Sequence, residues 1–97
     1  MIPQLHSSEY LPPDKRPIYR VFALMRNDKV KAFWFVAEYD ADKDLAFGYA
    51  NLGNDEEAHW GQFYLRELRE IGAVKLDLEL PRPFPKVFDE LKGRMGK

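Results

Sequence analysis

The chain has 97 residues, 45% hydrophobic and 14% aromatic, which is enough apolar material for one folded domain and too much for a disordered chain. It contains no cysteine, which excludes a disulfide framework, thiolate metal sites and cysteine catalysis. No run approaches the roughly 18 apolar residues of a membrane span, and the N-terminus lacks the basic and apolar regions of a signal peptide. We therefore expect a cytoplasmic protein without membrane contact.

The net charge of −1 hides a segregation of charge along the chain. Residues 38–57 hold seven acids and one lysine, a charge of −6, and the rest of the chain carries +5. Such asymmetry concerns partners more than fold, and it predicts attraction of the acidic segment to a basic surface. The alternative is that acids collect in loops because loops are solvated.

Four prolines among the first 17 residues predict an extended N-terminal arm, because proline removes a backbone donor and favours extended geometry before it. We expect one short turn near Ser7 in this arm. The arm is expected to be pinned to the domain by Leu5, Tyr10 and Leu11.

The next part of the chain predicts an antiparallel meander of three strands, residues 18–25, 30–39 and 45–51. The middle strand is apolar on both faces over most of its length, which predicts a central strand covered by helices on one side. Gly48 in the third strand indicates a bulge or a close approach of two backbones.

The last part predicts a short extended segment at residues 59–63 and a helix at residues 64–71 that ends at Gly72. Residues 74–80 alternate apolar and polar side chains, which predicts a strand with one face in the core. Pro85 is well placed to begin a final helix. The buried stripe of that helix is predicted to be Val87, Phe88, Leu91 and Met95. Together these elements predict one α+β domain over the whole chain, an antiparallel sheet of four or five strands packed against two helices.

The sequence offers no evident catalytic centre. The two histidines, His6 and His59, form no ligand-spaced pair; a metal site of His59 with the acids of residues 55–57 competes with a plain surface histidine. The only serines, Ser7 and Ser8, lie in the proline-rich arm, and no glycine-rich phosphate loop is present. We expect no enzyme, no cofactor and no metal, and His59 is the first residue to test for turnover.

An acid stands at every second position after the central strand: Glu38, Asp40, Asp42 and Asp44. In an extended chain, neighbours on one face are about 7 Å apart. That spacing is comparable to successive phosphates, so a rigid strand end could occupy a basic nucleic-acid channel. A second row of acids would join them if its loop lies beside the first: Asp55, Glu56 and Glu57. Tyr39 and Trp60 would anchor such an interface. A tight turn at residues 40–44 would instead break the alternation and leave ordinary solvated acids.

Five stretches of the chain carry a family resemblance, at residues 21–22, 34–40, 47–49, 65–68 and 74–78. Their most specific part is Glu38-Tyr39-Asp40 together with Phe47-Gly48-Tyr49. They resemble a family of small bacterial proteins carried on plasmids, phages and integrative elements, which has no established activity. Tyr64 stands where that family usually has a helix-capping serine, so the cap is expected to come from elsewhere or to be weak. The resemblance implies a mobile-element context.

The small size and the acidic segment are also similar to those of phage-type anti-CRISPR proteins that mimic double-stranded DNA. These act against the type I-F CRISPR surveillance complex. The resemblance implies a stoichiometric inhibitor in the host cytoplasm, with its acids on the basic DNA-entry surface formed by the large subunit and its neighbour at the tail of the complex. It implies no direct contact with nucleic acid. It carries no fixed motif, so the seven acids are chosen by charge and spacing.

A second class of function is a mobile-element module that binds nucleic acid or a regulatory protein through its basic N-terminal strands. The bases there are Arg16, Arg20, Lys29 and Lys31, and exposed tyrosines could stack bases beside them. The acidic segment opposes an approach to phosphates, and the strand aromatics are more simply core residues.

Overall fold

A computed structural model describes residues 2–95. In chain order its elements are a 3-10 helix at Pro13–Lys15, β1 Pro17–Ile18, β2 Arg20–Arg26, β3 Lys29–Asp40, β4 Leu45–Asn51, β5 His59–Tyr64, α1 Leu65–Glu70, β6 Val74–Lys75, β7 Arg82–Pro83 and α2 Phe84–Arg94. Five strands form one antiparallel sheet in the order β5-β4-β3-β2-β6, and β1 pairs with β7 in a second, two-stranded sheet. The predicted α+β fold is confirmed. Neither helix of the described residues is long and apolar enough to cross a membrane.

The central strand of the large sheet is β3, as its apolar sequence predicts. It pairs with β2 on one side and β4 on the other. One of its faces packs with α2 through Phe33, Phe35, Val87 and Leu91. The opposite face packs with α1 through Trp34, Val36, Leu65 and Leu68. Each face of the strand therefore meets one helix, and the expectation of helices on one side only is wrong.

Two predicted strands are shorter than expected. The predicted strand 18–25 is split at Tyr19, because β1 leaves the main sheet to pair with β7 while β2 stays in it. Of the predicted strand 74–80, only β6 pairs with β2, in a register that ends at Phe22 and Lys75. One further hydrogen bond follows, from the N–H of Leu76 to the carbonyl of Val21.

Residues 76–80 nevertheless keep the alternation of burial that the sequence predicts. Leu76, Leu78 and Leu80 pack against the core, while Asp77 and Glu79 are exposed. The apolar side chains hold this segment on the core without a ladder of backbone hydrogen bonds. The pattern thus predicted the buried face correctly, whereas the strand it predicted forms only at Val74–Lys75.

The two helices begin and end close to the predicted positions. Gly72, at φ 88°, follows the end of α1. Its N–H donates to the carbonyl of Arg69, and the N–H of Ala73 donates to that of Leu68, so two free carbonyls at the helix end are satisfied. Helix α2 has Pro85 in its first turn. Its predicted stripe is confirmed, because Val87 and Leu91 are buried and Phe88 and Met95 pack against the core.

The N-terminal arm is less extended than predicted. Turns occupy residues 5–10, and the 3-10 helix follows them. Tyr10 is 81% exposed, so its predicted role in pinning the arm is wrong. Ser8 and Arg16 are the arm's buried polar residues instead, and both of them contact Glu38.

Gly48 lies where β3 and β4 come into very close contact. It stands opposite Val36, beside the bulge that shifts the β3 register between Val36 and Glu38. A Cβ added to Gly48 would stand 1.6 Å from the carbonyl oxygen of Phe35. The prediction of a close backbone approach at this glycine is confirmed.

We expect Gly48→Ala to destabilise the fold by more than about 3 kcal/mol, because only a shift of the central strand would relieve the clash. Urea unfolding followed by circular dichroism measures the change. Gly93→Ala in α2 is the matched control, since a Cβ there meets nothing within 4 Å and alanine favours a helix over glycine by about 1 kcal/mol. Equal stability of the two variants would contradict the assignment.

Candidate functional site

The seven predicted acids do not form one surface. Glu38 lies near the end of β3, and residues 40–44 turn the chain into β4. The acids of residues 55–57 lie in the loop after β4, at its other end. Strand β4 has seven residues, so its ends are about 20 Å apart. The condition under which residues 55–57 would form a second acidic row, that their loop lies beside the first, is therefore not met.

Glu38 is a buried anchor rather than a surface acid. It is 2% exposed. The backbone N–H groups of His6 and Ser8 donate to its two oxygens, each at 2.8 Å, and the Ser8 hydroxyl donates to the second. The Nη1 atom of Arg16 lies 3.7 Å from that same oxygen. Its predicted place on a partner-binding surface is wrong, because the N-terminal segment covers the carboxylate.

The surroundings of Glu38 keep its carboxyl group ionised. Burial alone would raise the pKa of this carboxyl group. The hydrogen bonds from Ser8 and His6 and the charge of Arg16 together lower it by more than burial raises it, so the pKa lies below its usual value. An acid in an otherwise apolar buried run is a signal that a partner exists. The sequence does not say which residues are the partners, because they lie about 30 positions away.

The alternation of acids stops at Asp40, where β3 ends and residues 41–44 form a turn. Of the two arrangements considered from the sequence, the tight turn is the one the structure has. The Asp40 carboxylate accepts hydrogen bonds from the N–H groups of Asp42, at 3.0 Å, and Lys43, at 3.3 Å. These bonds stiffen the turn.

Asp44 caps the short helix α1 from outside the helix. Tyr64, at the N-cap position, makes no side-chain cap. The second carboxylate oxygen of Asp44 accepts the N–H of Arg66 at 2.8 Å, and its carbonyl accepts the N–H of Leu65 at 3.2 Å. The Tyr39 hydroxyl donates to the other carboxylate oxygen at 2.7 Å. The expectation that this cap comes from elsewhere in the chain is confirmed.

The pKa of Asp44 lies below its usual value. The hydrogen bond from Tyr39 contributes most to this, burial opposes it, and the Arg66 N–H and the Arg69 guanidinium, 3.7 Å away, lower it further. The same Tyr39–Asp44 hydrogen bond raises the pKa of Tyr39. Asp44 thus joins the turn, the central strand and α1, and it is not a free surface charge.

Asp55 is also engaged within the molecule. Its carboxylate accepts hydrogen bonds from Lys92 of α2 at 2.7 and 2.8 Å and from the side chain of Asn51 at 2.7 Å. The Lys92 and Asn51 bonds together hold its pKa below the usual value. The N–H of Glu56 donates to the side chain of Asn54, and Glu56 and Glu57 are both exposed.

Four predicted acids make no ion pair within residues 2–95: Asp40, Asp42, Glu56 and Glu57. They form two pairs at opposite ends of the sheet. Asp40 and Asp42 lie at the turn between β3 and β4, where Asp44 connects the chain to α1. Glu56 and Glu57 lie in the longer loop between β4 and β5.

The two predicted aromatic anchors have packing roles in the fold. Tyr39 is half-buried and packs on the α1 side of the sheet. Trp60 is half-buried on the α2 side, with its ring centre 5.1 Å from that of Phe84 and 5.6 Å from that of Tyr49. Both side chains keep some exposed surface at the sheet.

The alternative basic surface loses one of its four residues, because Arg16 is 6% exposed and is turned toward Glu38. Arg20 folds back on the carbonyl of Tyr19 at 2.7 Å.

His59 Nδ1 lies 3.2 Å from the carbonyl oxygen of Glu57, and no group of three or more potential ligands in the described part of the chain is arranged to hold a metal ion.

A cavity of about 180 Å³ lies where the N-terminal segment crosses the sheet beside Glu38. Arg16 and Glu38 contribute to its wall, Leu5 and Phe47 supply apolar surface, and Gln62 of β5 lies at its edge. The guanidinium carbon of Arg16 is 5.0 Å from the centre of the Phe47 ring. No local sequence pattern indicates this cavity, because its wall combines three separate parts of the chain.

We expect Glu38→Gln to destabilise the protein by about 3 kcal/mol, because an amide leaves buried donors and Arg16 without their anion. Urea unfolding measures the loss, and trypsin cleavage after Lys15 should become faster as the N-terminal segment is released. Glu57→Gln, an exposed acid, is the control and should change neither result. Unchanged stability of Glu38→Gln would show that the carboxylate does not hold the segment.

We expect Asp44→Asn to cost about 1 kcal/mol at pH 7, because the amide lacks the charge that strengthens the hydrogen bonds from Arg66 and Tyr39. Since folding lowers the pKa of Asp44, its ionised form stabilises the fold above its unfolded pKa of about 4, and this contribution is lost as pH falls through the folded value. The difference between wild type and variant, measured by unfolding at several pH values, should therefore shrink below about pH 4. A difference that stays constant down to pH 2 would contradict this role.

The comparisons with known proteins find one family. The chain matches a family model described as protein of unknown function (DUF2958) over residues 2–89. No curated protein and no solved structure matches it. Because the match covers most of its length, the chain belongs to the DUF2958 family.

Proposed function

We propose that the protein is a non-catalytic counter-defence inhibitor that presents the turn at residues 40–44 to a basic, nucleic-acid-binding surface of a CRISPR surveillance complex. The observation that supports this best is that two acids without an ion pair in the described part of the chain stand on a turn whose backbone is held in place. Asp40 and Asp42 make no ion pair in the described residues, and the turn that carries them is held at both ends.

Rigid presentation matters because a flexible acidic loop would lose conformational entropy on binding. The Asp40 carboxylate already bonds two N–H groups of the turn. Asp44 fixes the far end of the turn to α1 and to Tyr39. The backbone that carries Asp40 and Asp42 is therefore ordered before the partner arrives, which supports presentation of the two carboxylates to a surface that binds phosphates.

The contact surface is smaller than the one expected from the sequence. Glu38 is buried and Asp55 is paired with Lys92, so neither carboxylate belongs to the proposed contact surface. Arg66 and Arg69 of α1 lie close to the turn through Asp44, so the negative field of the turn is short in range. We therefore propose inhibition by contact at a small basic patch rather than by mimicry of a long stretch of DNA.

The test is competition between the protein and labelled duplex DNA for a purified type I-F surveillance complex. Asp40→Asn together with Asp42→Asn should weaken inhibition by about tenfold, because each removed charge lowers the affinity for a basic surface. Raising the salt concentration should weaken the wild type in the same direction. The protein alone should not shift the DNA in a gel.

The matched control is Glu56→Gln together with Glu57→Gln, which removes two exposed acids at the other end of the sheet. This control should inhibit like the wild type. Asp44 is left intact in both variants, because its loss would uncap α1. Full inhibition by the Asp40/Asp42 variant, or equal loss in the control, would overturn the role of the turn. Absence of any inhibition by the wild type would overturn the proposed function.

A further inference from the structure

The cavity beside Glu38 contains a buried cationic group with unused hydrogen-bond donors. Arg16 is 6% exposed. Its Nε–H donates to the carbonyl of Leu11 at 3.1 Å. Its nearest anionic contact, from Nη1 to the Glu38 carboxylate, is 3.7 Å, which is longer than a hydrogen bond. The terminal nitrogens of Arg16 thus have no acceptor among residues 2–95.

These terminal nitrogens are open to the cavity rather than sealed in the core. Within the described residues, the only fully enclosed side-chain polar atom without a partner is Nε of Arg82. Arg16 is part of the cavity wall, and its guanidinium carbon lies over the Phe47 ring, 5.0 Å from the ring centre, in a cation–π contact. A planar guanidinium with two free terminal nitrogens matches the two oxygens of a carboxylate.

The charges around the cavity oppose a simple anion. Glu38 carries a negative charge beside Arg16, and Glu9 adds another at the mouth. One carboxylate oxygen of Glu9 lies 2.5 Å from Nδ1 of His6, and its other oxygen makes no hydrogen bond within residues 2–95. A simple cation would in turn meet the charge of Arg16. A ligand that carries both signs satisfies both groups.

We infer that this cavity binds a small zwitterion, a free α-amino acid with an apolar side chain. Its carboxylate contacts the terminal nitrogens of Arg16, its ammonium group contacts the free oxygen of Glu9, and its side chain lies against Leu5 and Phe47. The cavity of about 180 Å³ equals the volume of roughly six water molecules. That space suits a molecule of the size of leucine and excludes a nucleotide. The site is separate from the acidic turn and does not depend on the proposed inhibition.

The test is a titration of the ¹⁵N-labelled protein with millimolar leucine, followed by NMR. We expect saturable shifts of the Gln62 side-chain amide and of the Arg16 Nε–H, because both groups lie at the cavity. N-acetylleucine lacks the ammonium group and leucinamide lacks the carboxylate. Each should bind about tenfold more weakly than leucine, since each loses one charge-assisted hydrogen bond.

Glu9→Gln is the decisive variant, because Glu9 is exposed and its surface pair with His6 contributes little to stability. It should weaken leucine binding about tenfold, and Glu57→Gln should leave binding unchanged. Arg16→Lys should also lose binding if circular dichroism shows that it folds. The proposal is overturned if leucine causes no saturable shift, if both analogues bind as well as leucine, or if Glu9→Gln binds like the wild type.

Discussion

The buried carboxylate of Glu38 is the constraint on which the N-terminal part of the fold depends. Removing an ion from water costs several kcal/mol unless well-placed donors offset the loss. Here the donors are the N–H groups of His6 and Ser8 and the Ser8 hydroxyl, and the nearby charge of Arg16 adds to their effect. The two N–H groups come from residues two positions apart in one turn, whose backbone is left-handed at His6, φ 69°. The position of the arm on the sheet follows from this requirement.

Charge segregation along the chain becomes charge compensation in space. The acidic segment of residues 38–57 meets bases from other parts of the sequence. Arg16 approaches Glu38, Arg69 approaches Asp44, and Lys92 pairs with Asp55. A charge profile read along the sequence therefore overstated the acidic surface, because the positive remainder of the chain folds back onto it. What is left for a partner is two pairs of acids without an ion pair in residues 2–95, one pair at each end of β4: Asp40 and Asp42, of which Asp40 is half-buried, and the exposed Glu56 and Glu57.

The two proposed binding regions use different physical devices. The turn at residues 40–44 presents charges on a stiff support, and its affinity is expected to fall with salt. The cavity beside Arg16 combines a largely buried guanidinium group with the carboxylate of Glu9, so the proposed ligand is selected by carrying both charges and by its size. Separate variants distinguish the two proposals, because Asp42 lies on the turn and Glu9 lies at the cavity. Neither proposal depends on the other.

Local patterns in the sequence determined the central strand, the hairpin that follows it and the buried stripe of α2. They also determined the close backbone approach at Gly48 and the end of α1 at Gly72. Each of these depends on neighbours within a few residues or on the spacing of apolar side chains. Only the tertiary structure decided which side chains neutralise Glu38 and which residue caps α1. Those contacts join residues 30 and 22 positions apart, and no local pattern encodes them. The length of the strand predicted at residues 74–80 was also decided by the tertiary structure: its pairing with β2 ends at Phe22 and Lys75, a contact between distant parts of the chain that the local alternation does not encode.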